Sequence, residues 1–181
     1  MPNNQILFER LYHEHKTLVY NVALHYLQSI EDAEEVTQDV FVKVYHSLDN
    51  FHQKSSYKTW IYRIAINQSL DFTKKKNSQK RFFIFGKKSQ NEQEYLNTST
   101  FEHPGILMEN QEEAAILFAV INTLTENQKT AFLLSKLDGL SNPEIAEIMQ
   151  LSISSVESLV FRAKASLQEK LSQKFNTYRK K

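Results

Sequence analysis

LTENQKTAFLLSKLDGLSNPEIAEIMQLSISSVESLVFRAKASL, residues 124–167, decides the fold. Sequences of the capping-box type, S/T-x-x-E/Q, recur at Thr125–Gln128, Ser141–Glu144 and Ser154–Glu157, and each predicts a helix start. Asp138-Gly139 ends the first helix, because glycine adopts the left-handed conformation without strain. Pro143 sits in the first turn of the second, where its missing N–H costs no hydrogen bond. A helix over 142–149, a turn through Gln150 and Leu151, and a longer helix from Ser155 make a helix-turn-helix. Val156, Val160, Ala163, Leu167 and Leu171 form the inward stripe of that last helix. Ser155, Glu157, Ser158, Phe161 and Arg162 are thereby turned outward, where a second helix of this motif meets base edges. Phe161 either touches thymine methyls or packs on the linker, and Arg162 either pairs with guanine or phosphate or stays solvated. The preceding EIAEIM helix favours DNA. Glu157 accepts from a cytosine amine on the same reading, and as the third residue of a capping box its carboxylate reaches back to the N–H of Ser154.

Upstream the same helical periodicity continues. Phe8, Leu11, Tyr12, His15, Leu18, Val22 and Tyr26 recur at steps of three and four. A second helix, capped near Asp32, buries Ala33, Val36, Val40, Val44 and Leu48. A third, from about Ser56 to Lys76, turns Trp60, Ile61, Ile64, Ala65 and Leu70 inward. From Thr73 to about Asn110 the pattern fails amid Lys, Asn, Gln, Ser and Thr, with Gly86, Pro104 and Gly105 as breakers, which predicts a flexible linker. Its ~35 residues could span ~110 Å at full extension. The apolar island Phe82–Phe85 suggests that part of it docks. The expectation is an all-α protein of two small helical domains, 1–76 and 111–181, joined by a linker over 77–110, the second domain carrying the helix-turn-helix.

Composition agrees. With 3 glycines and 3 prolines in 181 residues, folds that need frequent tight turns are disfavoured. Zero cysteines exclude disulfides, thiolate zinc sites and thiol nucleophiles. No apolar run approaches the ~20 residues of a membrane span, and no secretory signal opens the chain, so a cytoplasmic protein is expected. No nucleotide-binding loop or metalloprotease motif is present, and His13 and His15 fall on different sides of a helix. An enzyme is not expected, nor a metal or cofactor. The net charge of +1 averages opposite blocks: −5 over residues 1–50, +9 over 51–90, −6 over 91–130 and +3 over 131–181. Such alternation suits different surfaces for different partners. In FHQKSSYKTWIYRIAIN, residues 51–67, aromatics interleave with Lys54, Lys58 and Arg63, the pattern by which single strands are held, bases on rings and cations on phosphates. Trp60 reads as core, whereas Phe51, in a loop, does not.

EDAEEVTQDVFVKVYHSLDNF (31–51), SSYKTWIYRIAINQSLDF (55–72) and the 124–167 segment, in that order, resemble an RNA polymerase sigma factor of the extracytoplasmic-function branch. The helix-turn-helix alone also resembles the output domain of LuxR-type regulators, but the first 76 residues lack the alternating strands of a receiver domain. The resemblance implies a protein that binds core RNA polymerase and promoter DNA, both duplex and melted, and that many relatives are held by an anti-sigma partner. It places Glu35, Gln38 and Asp39 against the polymerase clamp. It assigns the loop Asn50–Tyr57, with Phe51 at its base, to a flipped base of the minus-ten element. Lys58, Thr59, Tyr62, Arg63 and Asn67 fall where relatives contact the opening strand, and the C-terminal helix where they read the minus-thirty-five element. Basic residues are common in the family where Glu157 and Leu159 stand here, so the base preference of that helix is its own.

Overall fold

A computed structural model describes the backbone of residues 2–52, 55–86 and 111–178, and the side chains of 4–52, 55–79 and 112–174 among them. Seven α-helices and no strand occur among the described residues. They fall into two compact units, Met1–His103 and Pro104–Lys181.

The first unit packs α1 (Pro2–Leu27), α2 (Ile30–Ser47) and α3 (Tyr57–Gly86) against one another, with a 3-10 turn, Leu48–Asn50, before α3. Leu11, Val19, Val22 and Ala23 of α1 meet Val36, Val40 and Val44 of α2 and Ile61 and Ala65 of α3 in a core sealed from water. Burying an aliphatic side chain contributes roughly 1.5–3 kcal/mol, so this core outweighs any one surface contact. Tyr12, expected inside, is exposed, and Phe8, His15 and Leu18 lie at the core edge. There α1 meets α2 through rings, Phe8 edge-on to Tyr45 at 5.2 Å and Tyr12 edge-on to Phe41 at 4.8 Å. Ser29, not Asp32, caps α2: its hydroxyl accepts the Asp32 N–H at 3.3 Å. The connection from α1 is so short that Gln28 takes a left-handed φ of 50°, its N–H still bonded to Leu24 O at 2.9 Å. Asp32 is thereby free to pair with Lys76, which ties α2 to the middle of α3.

That ion pair belongs to a helix longer than its apolar pattern. α3 runs ten residues past Lys76 to Gly86, so the stretch 77–86, expected as the start of a flexible linker, is helical. Residues 87–110 lie outside the described residues, as do the side chains of Phe82–Phe85.

The second unit contains α4 (Gln111–Ile121), α5 (Glu126–Lys136), α6 (Asn142–Met149) and α7 (Ile153–Tyr178). Thr125 and Gln128 form the expected reciprocal cap, each bond 3.4 Å. At α6 the Glu144 carboxylate accepts the Ser141 N–H at 2.9 Å and the Ser141 hydroxyl at 2.6 Å. Gly139 ends the α5 segment at φ 68°, with Leu140 N–H on Leu134 O at 3.0 Å. Gln150, at φ 57°, makes the turn, and Leu151 N–H closes on Ala146 O at 3.0 Å. The third expected cap does not form. α7 starts two residues earlier than Ser155, and Ser152 is its cap, accepting the Ser155 N–H at 3.2 Å. Gln150 and Leu151 make the turn, so Ser152, the first serine after it, takes the role. Beneath these caps Val156, Val160, Ala163 and Leu167 are buried as expected, and Leu171 half-buried. Lys129 of α5 is 8% exposed and donates to Asn122 Oδ1 at 2.7 Å. Burial lowers its pKa to about 8, since a desolvated ammonium is costly.

Candidate nucleic-acid and protein interfaces

Three surfaces carry the residues singled out by sequence. The first surrounds the start of α3. Ser56 caps the helix by accepting the Thr59 N–H at 3.0 Å. The 3-10 turn brings Phe51 back so that its half-buried ring stacks on Tyr57, centroids 4.3 Å apart and planes 27° apart. Trp60 completes the cluster at 5.0 Å from Phe51. Trp60 is half-buried and belongs to this cluster, contrary to its reading as core. Asn50 is exposed at the end of the turn, and Lys54 lies outside the described residues.

Along α3, half-buried Arg63 and exposed Asn67 follow Trp60 at steps of three and four, on one face. Lys74, exposed one heptad beyond Asn67, continues that strip, with Asp71 between them. Apolar periodicity does not mark Lys74; its seven-residue spacing from Asn67 is the sequence signal for this position. Two expected strand contacts are not on this surface. Tyr62 is 5% exposed and Thr59 is buried, because α1 and α2 wrap α3 on all sides but one. Tyr62 lies in the core, and Thr59 accepts the Ser56 hydroxyl at 3.0 Å. Lys58 is exposed but nearly half a turn from the Arg63–Asn67 strip. Its charge is felt at His15 of α1, whose pKa is lowered chiefly by burial, against an opposing pull from Glu14, with Lys58 adding a smaller push in the direction of burial.

The second surface is the outer face of α2. Glu35, Gln38 and Asp39 are all exposed there. Val42 (57% exposed) and Tyr45 (54%) extend the same face by two turns, apolar after acidic. Sequence reasoning passed over both, since an exposed valine looks like a core valine until the helix phase is known.

The third is α7. Phe161 is 72% exposed, with Glu157, Ser158 and Arg162 exposed beside it. Ser155 is half-buried and held in the cap, its hydroxyl 2.8 Å from that of Ser152. Glu157 does not reach back to Ser154; its carboxylate is approached by the Asn142 amide at 3.5 Å. An exposed phenylalanine flanked by a carboxylate and a guanidinium offers an apolar contact, an acceptor and a donor side by side. These are the three functions that base edges in the major groove discriminate.

No group of three or more His, Cys, Asp or Glu residues able to hold a metal occurs among the described residues. No helix among them is long and apolar enough to cross a membrane.

Comparison with known proteins agrees with this division. Residues 11–79 match the family Sigma-70 region 2, and residues 114–167 match Sigma-70, region 4. The ECF RNA polymerase sigma-E factor of Haemophilus influenzae is 33% identical over 144 residues, 79% of this chain and 76% of that protein. Its counterpart in Escherichia coli strain K12 is 32% identical over 141 residues, 77% of this chain and 74% of that one. Among solved structures, CnrH in complex with the cytosolic domain of CnrY shares the fold at TM-score 0.65 and 23% identity, over 93% of this chain and 90% of that chain. The sigma factor RpoE in complex with the anti-sigma factor NepR from Bartonella quintana does so at TM-score 0.65 and 21% identity, over 91% and 96%. With regions 2 and 4 matched in order and relatives at this identity over about three quarters of their length, the chain belongs to the ECF family of RNA polymerase sigma factors.

Proposed function

We propose the following division of labour for this sigma factor, which binds core RNA polymerase and directs promoter recognition and DNA opening at initiation. Residues 1–76 form the polymerase-binding and minus-ten domain, with α3 continuing beyond them, and residues 111–181 form the minus-thirty-five domain. Glu35, Gln38 and Asp39, joined by Val42 and Tyr45, dock on the polymerase clamp: acidic side chains steer the encounter, and the apolar end supplies the desolvated contact. Glu157, Ser158, Phe161 and Arg162 of α7 read the upstream duplex, while Ser155 holds the helix start. Asn50, Phe51, Tyr57 and Trp60 capture an unstacked base, and Arg63, Asn67 and Lys74 follow the strand that carries it. Lys58 meets the phosphates from the other side of the helix start.

The work is remodelling of DNA without bond chemistry, as befits a family of non-enzymatic initiation factors. Extruding a base costs a few kcal/mol, whereas stacking it on an aromatic side chain returns ~1–3 kcal/mol. One captured base is therefore near balance, and polymerase contacts tip the equilibrium. We place the protein in the cytoplasm, with its polymerase, and infer an anti-sigma partner that masks one or more of these surfaces; its structural neighbour RpoE is in complex with an anti-sigma factor, NepR.

The observation that carries this reading is the aromatic cluster at the head of the Arg63–Asn67 strip, Phe51 stacked on Tyr57 with Trp60 tilted against it. Its test is Phe51→Ala in reconstituted holoenzyme, on a promoter selected from a random library by the wild-type protein. Permanganate reactivity of unpaired thymines should fall several-fold while closed-complex gel shifts stay within about twofold, as expected for stacking lost only after opening. Equal loss in both assays would make the ring structural.

A further inference from the structure

The 3-10 turn that presents Phe51 has little of its own to hold it. Such turns carry poorer hydrogen-bond geometry than an α-helix and persist on outside contacts. Here the preceding Ser47 makes no side-chain cap, and at the far end the Phe51 N–H bonds Leu48 O at 3.2 Å. Leu48 is buried and anchors one side. The middle residue, Asp49, is exposed, yet its carboxylate accepts a hydrogen bond from the side-chain amide of Asn4, 45 residues away in the first turn of α1. The Phe51 ring begins two residues after that carboxylate. On its other side the ring leans on Tyr57 and Trp60, whose backbone is set by the Ser56 cap. One flank of the ring is thus positioned locally, and the other by the start of the chain.

We propose that Asn4 and Asp49 are positioning residues for base capture, which connect the first turn of α1 to the orientation of the Phe51 ring. The inference rests on the reading of the aromatic cluster given above and adds a specific dependence to it. Neither side chain touches DNA. Their bond sets the direction in which the turn delivers Phe51, so its loss widens the range of ring positions and lowers the fraction of encounters in which an extruded base finds a stacked partner. Because the contact lies on the surface and buries no apolar group, its loss leaves the three-helix core intact.

The experiment uses the full chain with purified bacterial core RNA polymerase and the library-selected promoter. Asn4→Ala and Asp49→Ala should each reduce permanganate reactivity of unpaired thymines about two- to tenfold, the range for one hydrogen bond. Melting temperature, polymerase binding and closed-complex gel shift should remain those of wild type. The exchanged pair, Asn4→Asp with Asp49→Asn, recreates the bond with donor and acceptor reversed and should restore opening. In a Phe51→Ala background, Asn4→Ala should have no further effect. Wild-type opening by Asn4→Ala, alongside impaired opening by Phe51→Ala, overturns the proposal and spares the aromatic cluster. Failure of the exchanged pair to restore opening, or loss in Asn4→Ala that persists without Phe51, overturns it too. Wild-type opening by Phe51→Ala itself overturns the reading on which it rests.

Discussion

Helices α7 and α3 are both long and both carry residues proposed to meet DNA, yet they present their surfaces differently. α7 rests on its neighbours along one stripe, from Val156 through Val160 and Ala163 to Leu167, so more than half its circumference faces outward. Residues chosen there by elimination from the stripe are nearly all exposed. α3 is enclosed by α1 and α2, and Thr59, Ile61, Tyr62, Ile64, Ala65, Ile66 and Ser69 are all buried. Over its first four turns the strip through Trp60, Arg63, Asn67 and Asp71 is left uncovered, together with the helix start, and Lys74 follows on the same side. A helix at the edge of a bundle can be read from its own periodicity, whereas one in the middle has a working face set by what its neighbours leave uncovered.

That contrast can be broken most forcefully at two aromatic residues that sequence had placed in equivalent roles. Tyr62→Ala should destabilise the first unit by about 3–5 kcal/mol, as expected for a large side chain removed from a core, and abolish polymerase binding with it. Phe161→Ala should leave thermal unfolding within ~0.5 kcal/mol of wild type and weaken only upstream-element binding. Wild-type melting of Tyr62→Ala would return that ring to the DNA surface.

A second test asks whether charge burial distinguishes the units. Lys129 has its folded pKa depressed to about 8, against roughly 10.4 in an unfolded chain. Below pH 8 both states bind the proton, and the folded state bears the full desolvation cost. As pH rises from 8 towards 10.4 the folded lysine is neutral while the unfolded one stays charged, so the second unit gains stability with pH. The gain should be on the order of 1–3 kcal/mol, and Lys129→Met should remove the pH dependence while stabilising the unit at pH 7. Amide hydrogen exchange of α5 at pH 7 and pH 9.5, corrected for intrinsic rates, measures it; a flat profile would place the ammonium in water.

Glu157 sharpens the comparison from the side of α7. Its carboxylate is not the reciprocal cap expected of it, so Glu157→Gln should leave helix stability unchanged and shift base preference at one upstream position by ~1–3 kcal/mol. An unchanged preferred sequence in a promoter-library selection would remove Glu157 from the reading surface. The smallest effect concerns the cap itself. Ser152→Ala should cost ~1 kcal/mol and fray the first turn of α7, whereas Ser154→Ala should change stability by less than ~0.5 kcal/mol. The reverse order in denaturant melts would restore the cap to Ser154.

Much of this molecule was legible without coordinates, for physical reasons that differ by element. The starts and stops of α5 and α6 are written in residues with few conformational alternatives: Gly139 where φ is positive, Pro143 in a first turn, Thr125 and Ser141 where orphan N–H groups need acceptors. Those interactions close within four residues, so α5, α6 and the buried stripe of α7 follow from the chain itself. The polar face of α2 was visible for the same reason. Sequence misplaced α2's cap at Asp32 and α7's at Ser154 because several hydroxyls and carboxylates compete within one turn, and only the path of the connection decides which is used.

What the tertiary structure alone decided lies between residues far apart in the chain. The burial of Tyr62 depends on α1 and α2 closing over α3. The length of α3 beyond Lys76 is supported by the pairing of Lys76 with Asp32, 44 residues earlier, which no local pattern of apolar side chains contains. The collapse of Phe51 onto Tyr57 and Trp60 joins a turn to a helix across the loop between them, and Asn4 reaches Asp49 from the opposite end of the unit. By itself the sequence determined which segments are helices and which side of an edge helix is dry. Which polar and aromatic residues remain at the surface to meet DNA or polymerase was settled by packing, because exposure is a property of how elements cover one another.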